Sequence, residues 1–447
     1  MVYCAIISIK RNHQEGVFAV ISEGKTFGGI LRVYRNRANL TLTELSERTG
    51  VASGTISKIE SDAFTLPNMQ HVMKLAKELD IPLYTAIVPY LHKIKREATL
   101  RTLLEAVMQE KNVVLTNKVA LQLLNCPKSN TFLSLDYLYQ TAGTEANEEL
   151  RLALYDVICD YSRENGIPLY LARSLFQRYM IRRENLSQLD QTYVEGKELL
   201  HYTSYLHINE RILAYYKFSF HALRLGFYSD CIHLCKQGLE IDHSQSEQKA
   251  AAILAIIISY FELEDYTLGH FYLERYEMFD YPEVHKHARH IRGKLYGKTG
   301  KFDKAIPVLQ ECLAQQAQDD KIVIANDLLE IYLQVGEEKK IRELFLAEAS
   351  ILPENLTTPN QYNQMGLYFR TKGIFYIQKN EVDLGIDSLV ESVNYYRAIN
   401  EIKQADKSLS VLFEFYVSQK KNLPVGILHK LVNVYNGSSN HRSKQEV

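Results

Sequence analysis

The side chains of this 447-residue chain that are best placed to do chemistry are amides and hydroxyls. Asn209, Asn326 and Asn363 fall on the same expected face of three helix-length segments, the first helices of the second, fifth and sixth pairs in a repeating pattern. An Asn amide donates and accepts at once, so three of them along one groove can pair with both N–H and C=O of an extended peptide, whatever its side chains. Leu213, Tyr216, Phe220, Leu254 and Ile258 stand between them with apolar surface for alternate side chains, and His287, His290 and Glu330 share the face. Arg178, Lys294 or Arg370 would take a terminal carboxylate. Taken singly, each asparagine reads equally well as a solvated helix residue. A second group lies in LTLTELSERTGVASGTISKIES, residues 40–61. There Val51, Ile56 and Ile59 point toward Leu45 and the later Val72, Leu75, Ala76 and Leu79, which leaves Ser53, Gly54, Thr55, Ser57 and Lys58 outward on a short helix.

These groups must be held by helices. In the second group Thr41 caps a helix with Glu44 returning to its backbone, and Gly50 ends that helix. From Phe27 to about Leu83 short helical blocks alternate with turn signals, which predicts a compact five-helix module. Residues 84–165 form a helical connector, with Leu100, Leu103, Leu104, Val107 and Met108 at helical spacing.

From Ile167 onward the sequence repeats. In HIRGKLYGKTGKFDKAIPVLQECL, the residues Gly293, Tyr296, Gly300, Phe302 and Ala305 take the small and aromatic positions of a tetratricopeptide unit. Equivalent turns recur at Gly226, Glu264, Gly300, Gly336 and Asn380, spaced by 38, 36, 36 and 44 residues, with a degenerate earlier copy at Glu184. Such helix pairs bury their apolar faces only by stacking, so a right-handed superhelix with a concave groove is expected. The expected fold class is all-α: an N-terminal helix-turn-helix followed by that superhelix. The expected segments are an extension over 1–26, the module over 27–83, the connector over 84–165, the repeats over 166–435 and a polar, disordered tail over 436–447. For residues 1–26 an ordered extension, a short strand and a loose arm all stay open.

Composition sets limits on partners. Lys+Arg 52 against Asp+Glu 53 leaves a formal charge of -1, so any nucleic-acid surface is a local patch. The longest apolar run, Ala250 to Phe261, is too short to cross a membrane, and the N-terminus lacks the basic lead of a secretory signal. A cytoplasmic protein with no membrane partner is expected. Six cysteines scattered over helical segments read as reduced thiols. Neither Cys231, His233 and Cys235 nor His285, His287 and His290 brings a convincing metal-ligand set, and no GxSxG, HExxH or phosphate-binding Gly loop is present. No cofactor and no independent enzyme activity are expected.

Residues 27–83 resemble the lambda-repressor-like helix-turn-helix family through GV-x-x-x-TISKIE and the downstream LAKELDI-P-L. The resemblance implies that the third helix enters the major groove of double-stranded DNA. Ser53, Thr55, Ser57 and Lys58 then become base-edge or phosphate candidates, with Gly54 and Thr41 in the same surface, and Arg32, Arg35 and Arg37 neutralise backbone. Leu42 stands where the family usually has Gln, and Gly54 removes a reading side chain. One module therefore binds weakly, and a dimer on an inverted repeat, or DNA shape, supplies specificity.

The architecture as a whole resembles the Rap, NprR, PlcR and PrgX family of peptide-pheromone receptors. QRYMIRRENLSQLDQTYVEGKELL followed by HINERILAYY looks most like the arbitrium, or lysis–lysogeny, receptors of Bacillus phages. The resemblance implies a quorum-sensing homodimer whose groove binds a short signalling peptide that alters DNA binding, with Asn209 and Asn326 matching asparagines that hold the peptide backbone. Two alternatives remain: a response-regulator-binding protein or phosphatase of the Rap type, with Gln109 and Gln122 placing a water, and a repressor controlled by a protein antirepressor.

Overall fold

Local rules set the first helices. Thr41 caps the helix Leu42–Thr49: its hydroxyl accepts from the Glu44 amide at 3.2 Å, and the Glu44 carboxylate accepts from the Thr41 amide at 2.8 Å. Gly50 ends that helix at φ 67°, a left-handed conformation that costs glycine little. The computed structural model describes residues 26–432 except 128, 186, 187 and 421. The expectations for residues 1–25 and for the tail after 435 lie outside the described residues.

The chain divides into two compact units, 1–221 and 222–447. The first opens with α1 (Phe27–Arg37), α2 (Leu42–Thr49), α3 (Ser53–Glu60), α4 (Met69–Glu78) and α5 (Leu83–Leu91). The apolar set read from the sequence is its core: Leu45, Ile56, Val72, Leu75 and Ala76 are wholly buried, and Val51, Ile59 and Leu79 nearly so. Each large side chain contributes roughly 1.5–3 kcal/mol by leaving water. The expected end of the module at Leu83 is the first residue of α5. That helix belongs to the module, since Tyr90 packs edge-on against Phe27 of α1 with ring centroids 6.1 Å apart.

The connector follows as α6 (Glu97–Gln109), α7 (Val113–Leu124), α8 (Thr131–Thr144) and α9 (Glu148–Glu164). Its apolar faces join those of the helix-turn-helix in one cluster of buried residues running from Phe27 to Tyr170. The limits at 83 and 165 are changes of motif within one continuous core. The unit ends with α10 (Pro168–Arg182), α11 (Leu189–Leu200) and the larger part of α12 (Ile208–Arg224).

In the second unit α13 (Tyr228–Ile241) is followed by the pairs α14 (Glu247–Glu262) with α15 (Tyr266–Tyr276), α16 (Pro282–Lys298) with α17 (Phe302–Gln315) and α18 (Gln318–Val335) with α19 (Glu338–Leu346). A short α20 (Glu348–Ile351), the pair α21 (Pro359–Gln378) with α22 (Val382–Ala398), α23 (Ile402–Ser418) and a helix over 425–432 complete it. All five turn positions read from the spacing are left-handed: Gly226, Glu264, Gly300, Gly336 and Asn380 have φ between 58° and 80°. Glu184 sits in a turn without that conformation. Gly293 allows α16 and α17 to touch, since a Cβ there would meet Leu309 Cδ2 at 2.8 Å. Among the described residues there is no strand, and no helix is long and apolar enough to cross a membrane. The chain is all-α, a helix-turn-helix followed by stacked antiparallel helix pairs.

Candidate nucleic-acid interface and candidate groove

Two close approaches hold α3 in the first module. A Cβ on Gly28 would lie 2.2 Å from the Ile59 carbonyl oxygen, so α1 and α3 meet backbone to backbone. Arg35 grips Glu60 with two parallel hydrogen bonds of 2.7 and 2.9 Å and donates a third to the Leu40 carbonyl at 2.8 Å. The hydrogen bonds to Glu60 raise the Arg35 pKa. With side chains only 12% and 7% exposed, this pair is a strut between α1 and α3. Arg35 is thereby corrected: it is not placed to neutralise a phosphate. The Thr41 hydroxyl is likewise committed, donating to Glu44 Oε2 at 2.7 Å while it caps α2.

The remaining interface residues are outward as the helical phase requires. Ser53, Gly54, Ser57 and Lys58 are exposed and Thr55 is half-buried. Ala52 gives the start of α3 no side-chain cap, and while the Thr55 amide donates to the Ala52 carbonyl at 2.8 Å, the Ser53 and Gly54 amides are open to an acceptor such as a phosphate. A Cβ on Gly54 would meet nothing within 4 Å, which makes that position the flattest point of the surface. Arg32 and Arg37 are exposed along α1.

The expected groove residues fall in both units. In the first, Asn209 is exposed and Leu213 and Phe220 are half-buried, but Tyr216 is 1% exposed and lies in the interior, so it is corrected out of the groove. Arg178 donates to Asp156 Oδ1 at 3.0 Å, and Arg182 reaches the other oxygen of the same carboxylate at 3.4 Å. Arg178 therefore already has its carboxylate.

In the second unit the predicted residues converge on one that sequence reasoning missed, Asp327. Its carboxylate accepts from His290 Nε2 at 2.7 Å and lies 3.4 Å from Lys294 Nζ. Burial works to raise its pKa, but the Lys294 charge and the His290 hydrogen bond prevail and bring it down to about 2. The same charge pair raises the Lys294 pKa. Beside them Lys298 pairs with Glu330 at 2.5 Å, and these residues with Gly297, Ile331 and Gln334 line a small cleft.

Asn326 is 7% exposed and donates through Nδ2 to the carbonyl oxygen of Gln364 at 3.0 Å and to Gln364 Oε1 at 2.9 Å. Its own Oδ1 is buried without a partner. Gln364, the neighbour of the predicted Asn363, is thus the second residue that the sequence did not single out, and Asn363 is half-buried. Arg370 donates to Gln404 Oε1 at 3.0 Å and lies over the Tyr396 ring at 5.4 Å. Leu254 is half-buried, and Ile258 and His287 are exposed.

Residues 31–85 match the helix-turn-helix family model HTH_3. The N-terminal module is a helix-turn-helix. No curated protein matches the chain. Among solved structures it is similar to that of Bacillus thuringiensis PlcR in complex with the peptide PapR7 and DNA, at 11% identity, over 86% of this chain and 98% of that one, with a TM-score of 0.25. A likeness that distant does not transfer a function.

Proposed function

We propose that this chain acts in the cytoplasm as a transcription regulator, reading double-stranded DNA through α3 as a homodimer on an inverted repeat, and switched by a short signalling peptide in its helical groove. The observation that carries the DNA reading is α3 itself, uncapped, small-featured and outward in a module that matches the helix-turn-helix family. The peptide reading rests on Asn326. A buried carbonyl oxygen without a partner costs roughly 1–3 kcal/mol, and a turn of the Asn326 side chain away from Gln364 would bring it to a peptide N–H that recovers this cost. The homodimer reading is supported by the last two helices. They expose Phe413 and Val417, four apart, and Val425, Leu428 and Val432 at helical spacing, an apolar surface that a second copy would cover. The resemblance of residues 177–216 to lysis–lysogeny receptors supports a phage decision between those two states as the process under control.

Selection of duplexes from a random pool by the full-length chain tests the DNA reading; recovery of no enriched site would overturn it. For the peptide, calorimetry against a library of short synthetic peptides should find a ligand that Asn326→Ala and Asn209→Ala each weaken, by about 5- to 30-fold if one hydrogen bond is removed. Equal affinity in both variants would sink the clamp.

A further inference from the structure

Outside the helix-turn-helix surface, the segment His92-Lys93-Ile94-Lys95-Arg96 between α5 and α6 presents four exposed basic-type side chains around one buried residue. Its backbone is fixed. Ile94 is 1% exposed in the core, the Cys126 thiol donates to the Lys95 carbonyl at 3.4 Å, and Lys93 lies over the Tyr90 ring at 5.7 Å. Among the described residues, none of Lys93, Lys95 and Arg96 has an acidic partner, and the nearest acid in sequence, Glu97, is taken by Arg101. In a chain of net charge -1, three neighbouring cations without an acidic partner among the described residues are a marked local excess.

The fold places that excess relative to α3. Tyr90, three residues before Lys93, touches Phe27 at the start of α1, and Gly28 beside it touches Ile59 at the C-terminal end of α3. Asp62, the acid nearest this junction, is engaged by the Thr26 hydroxyl at 2.6 Å. Through Tyr90, Phe27 and Gly28 the basic segment is tied to the C-terminal end of α3, and the eight-residue helix spans about 12 Å from that end to Ser53 and Gly54. A duplex that seats the N-terminal end of α3 in a groove carries its backbone past the other end.

We propose that Lys93, Lys95 and Arg96 form a second, sequence-independent DNA contact, clamping phosphates that flank the base pairs read by α3. This rests on the DNA reading above and assigns a contact that the helix-turn-helix alone does not contain. The anchored backbone matters because it fixes where the cations are attached, so only their side chains need ordering when the duplex arrives.

The test uses the full-length chain and one duplex selected from a random pool, prepared either trimmed to the selected core or extended by about ten base pairs, one helical turn, on each side. Binding is measured as a function of salt for the wild type and for K93Q/K95Q/R96Q, whose exposed positions leave the thermal melt unchanged. On the extended duplex the slope of log K against log salt for the dimer should become shallower by about 5 in the triple variant, near 0.9 for each phosphate left without its cation in the two protomers, while the core duplex shows no change. An unchanged slope on the extended duplex overturns the proposal, and an equal loss on both duplexes overturns the flanking position. If the wild type selects no duplex, the DNA reading itself fails, and that outcome is separate from either of these.

Discussion

Asp327 accepts from His290 and faces Lys294 in a nearly closed site, and its pKa is held down to about 2 against an ordinary 3.8. A carboxyl whose folded pKa is depressed stabilises the fold above its unfolded pKa, and the contribution is lost as pH falls through the folded value. The window here runs from about pH 4 down to about pH 2, and the gain above it is on the order of 2 kcal/mol. Asp327→Asn should therefore lower urea stability at neutral pH and flatten its pH dependence across that window. A profile parallel to the wild type would show the carboxylate contributes nothing there. Arg35→Ala should destabilise the N-terminal module by about 3 kcal/mol by leaving Glu60 buried and unpaired, measured by denaturation of the full chain. Much of this scale is closed to sequence reasoning. Glu60 lies 25 residues from Arg35 and Asp327 lies 37 from His290, so no local spacing links them. Counting from a turn places Tyr216 in the groove, and the packing of α12 turns it inward.

The helices themselves are far more legible, because what fixes them is local. The Thr41–Glu44 capping box and the Gly50 stop follow from residue type at a fixed offset, and the five left-handed turns fall where the repeat spacing puts them. The end of the N-terminal module is less so: Pro82 stands at the N-cap of α5, where proline is tolerated, so the helix that completes the module starts where the expected boundary ends it. Two elements invite substitution. Glu264 is a non-glycine residue at φ 58°, so Glu264→Gly should relieve backbone strain and stabilise the second unit by up to about 1 kcal/mol in chemical denaturation. In α3, Gly54→Ala adds a methyl into open space and should stabilise the helix by up to about 1 kcal/mol. If DNA backbone passes close over Gly54, the same methyl weakens binding to a selected duplex, and the two effects then run in opposite directions.

For the whole molecule the testable feature is the apolar side that the last two described helices expose. Stacked helix pairs bury their faces only against neighbours, so an apolar side left exposed on such helices calls for a partner. Here that side is apolar, with Val417 77% and Val425 67% exposed. Val417→Glu combined with Leu428→Glu should convert a dimer to a monomer in light scattering while the helical circular dichroism stays intact; a monomeric wild type would remove the face from consideration.

The charges along the expected groove divide sharply from those beside the helix-turn-helix. Arg178, Lys294, Lys298 and Arg370 each already hold an acid or an amide, whereas among the described residues Lys93, Lys95 and Arg96 hold none. Ionic strength should therefore act on one activity and spare the other. On the function proposed above, raising potassium should weaken binding to a selected duplex far more than binding of a selected peptide, so osmotic stress would loosen the hold on DNA while leaving the response to the peptide in place.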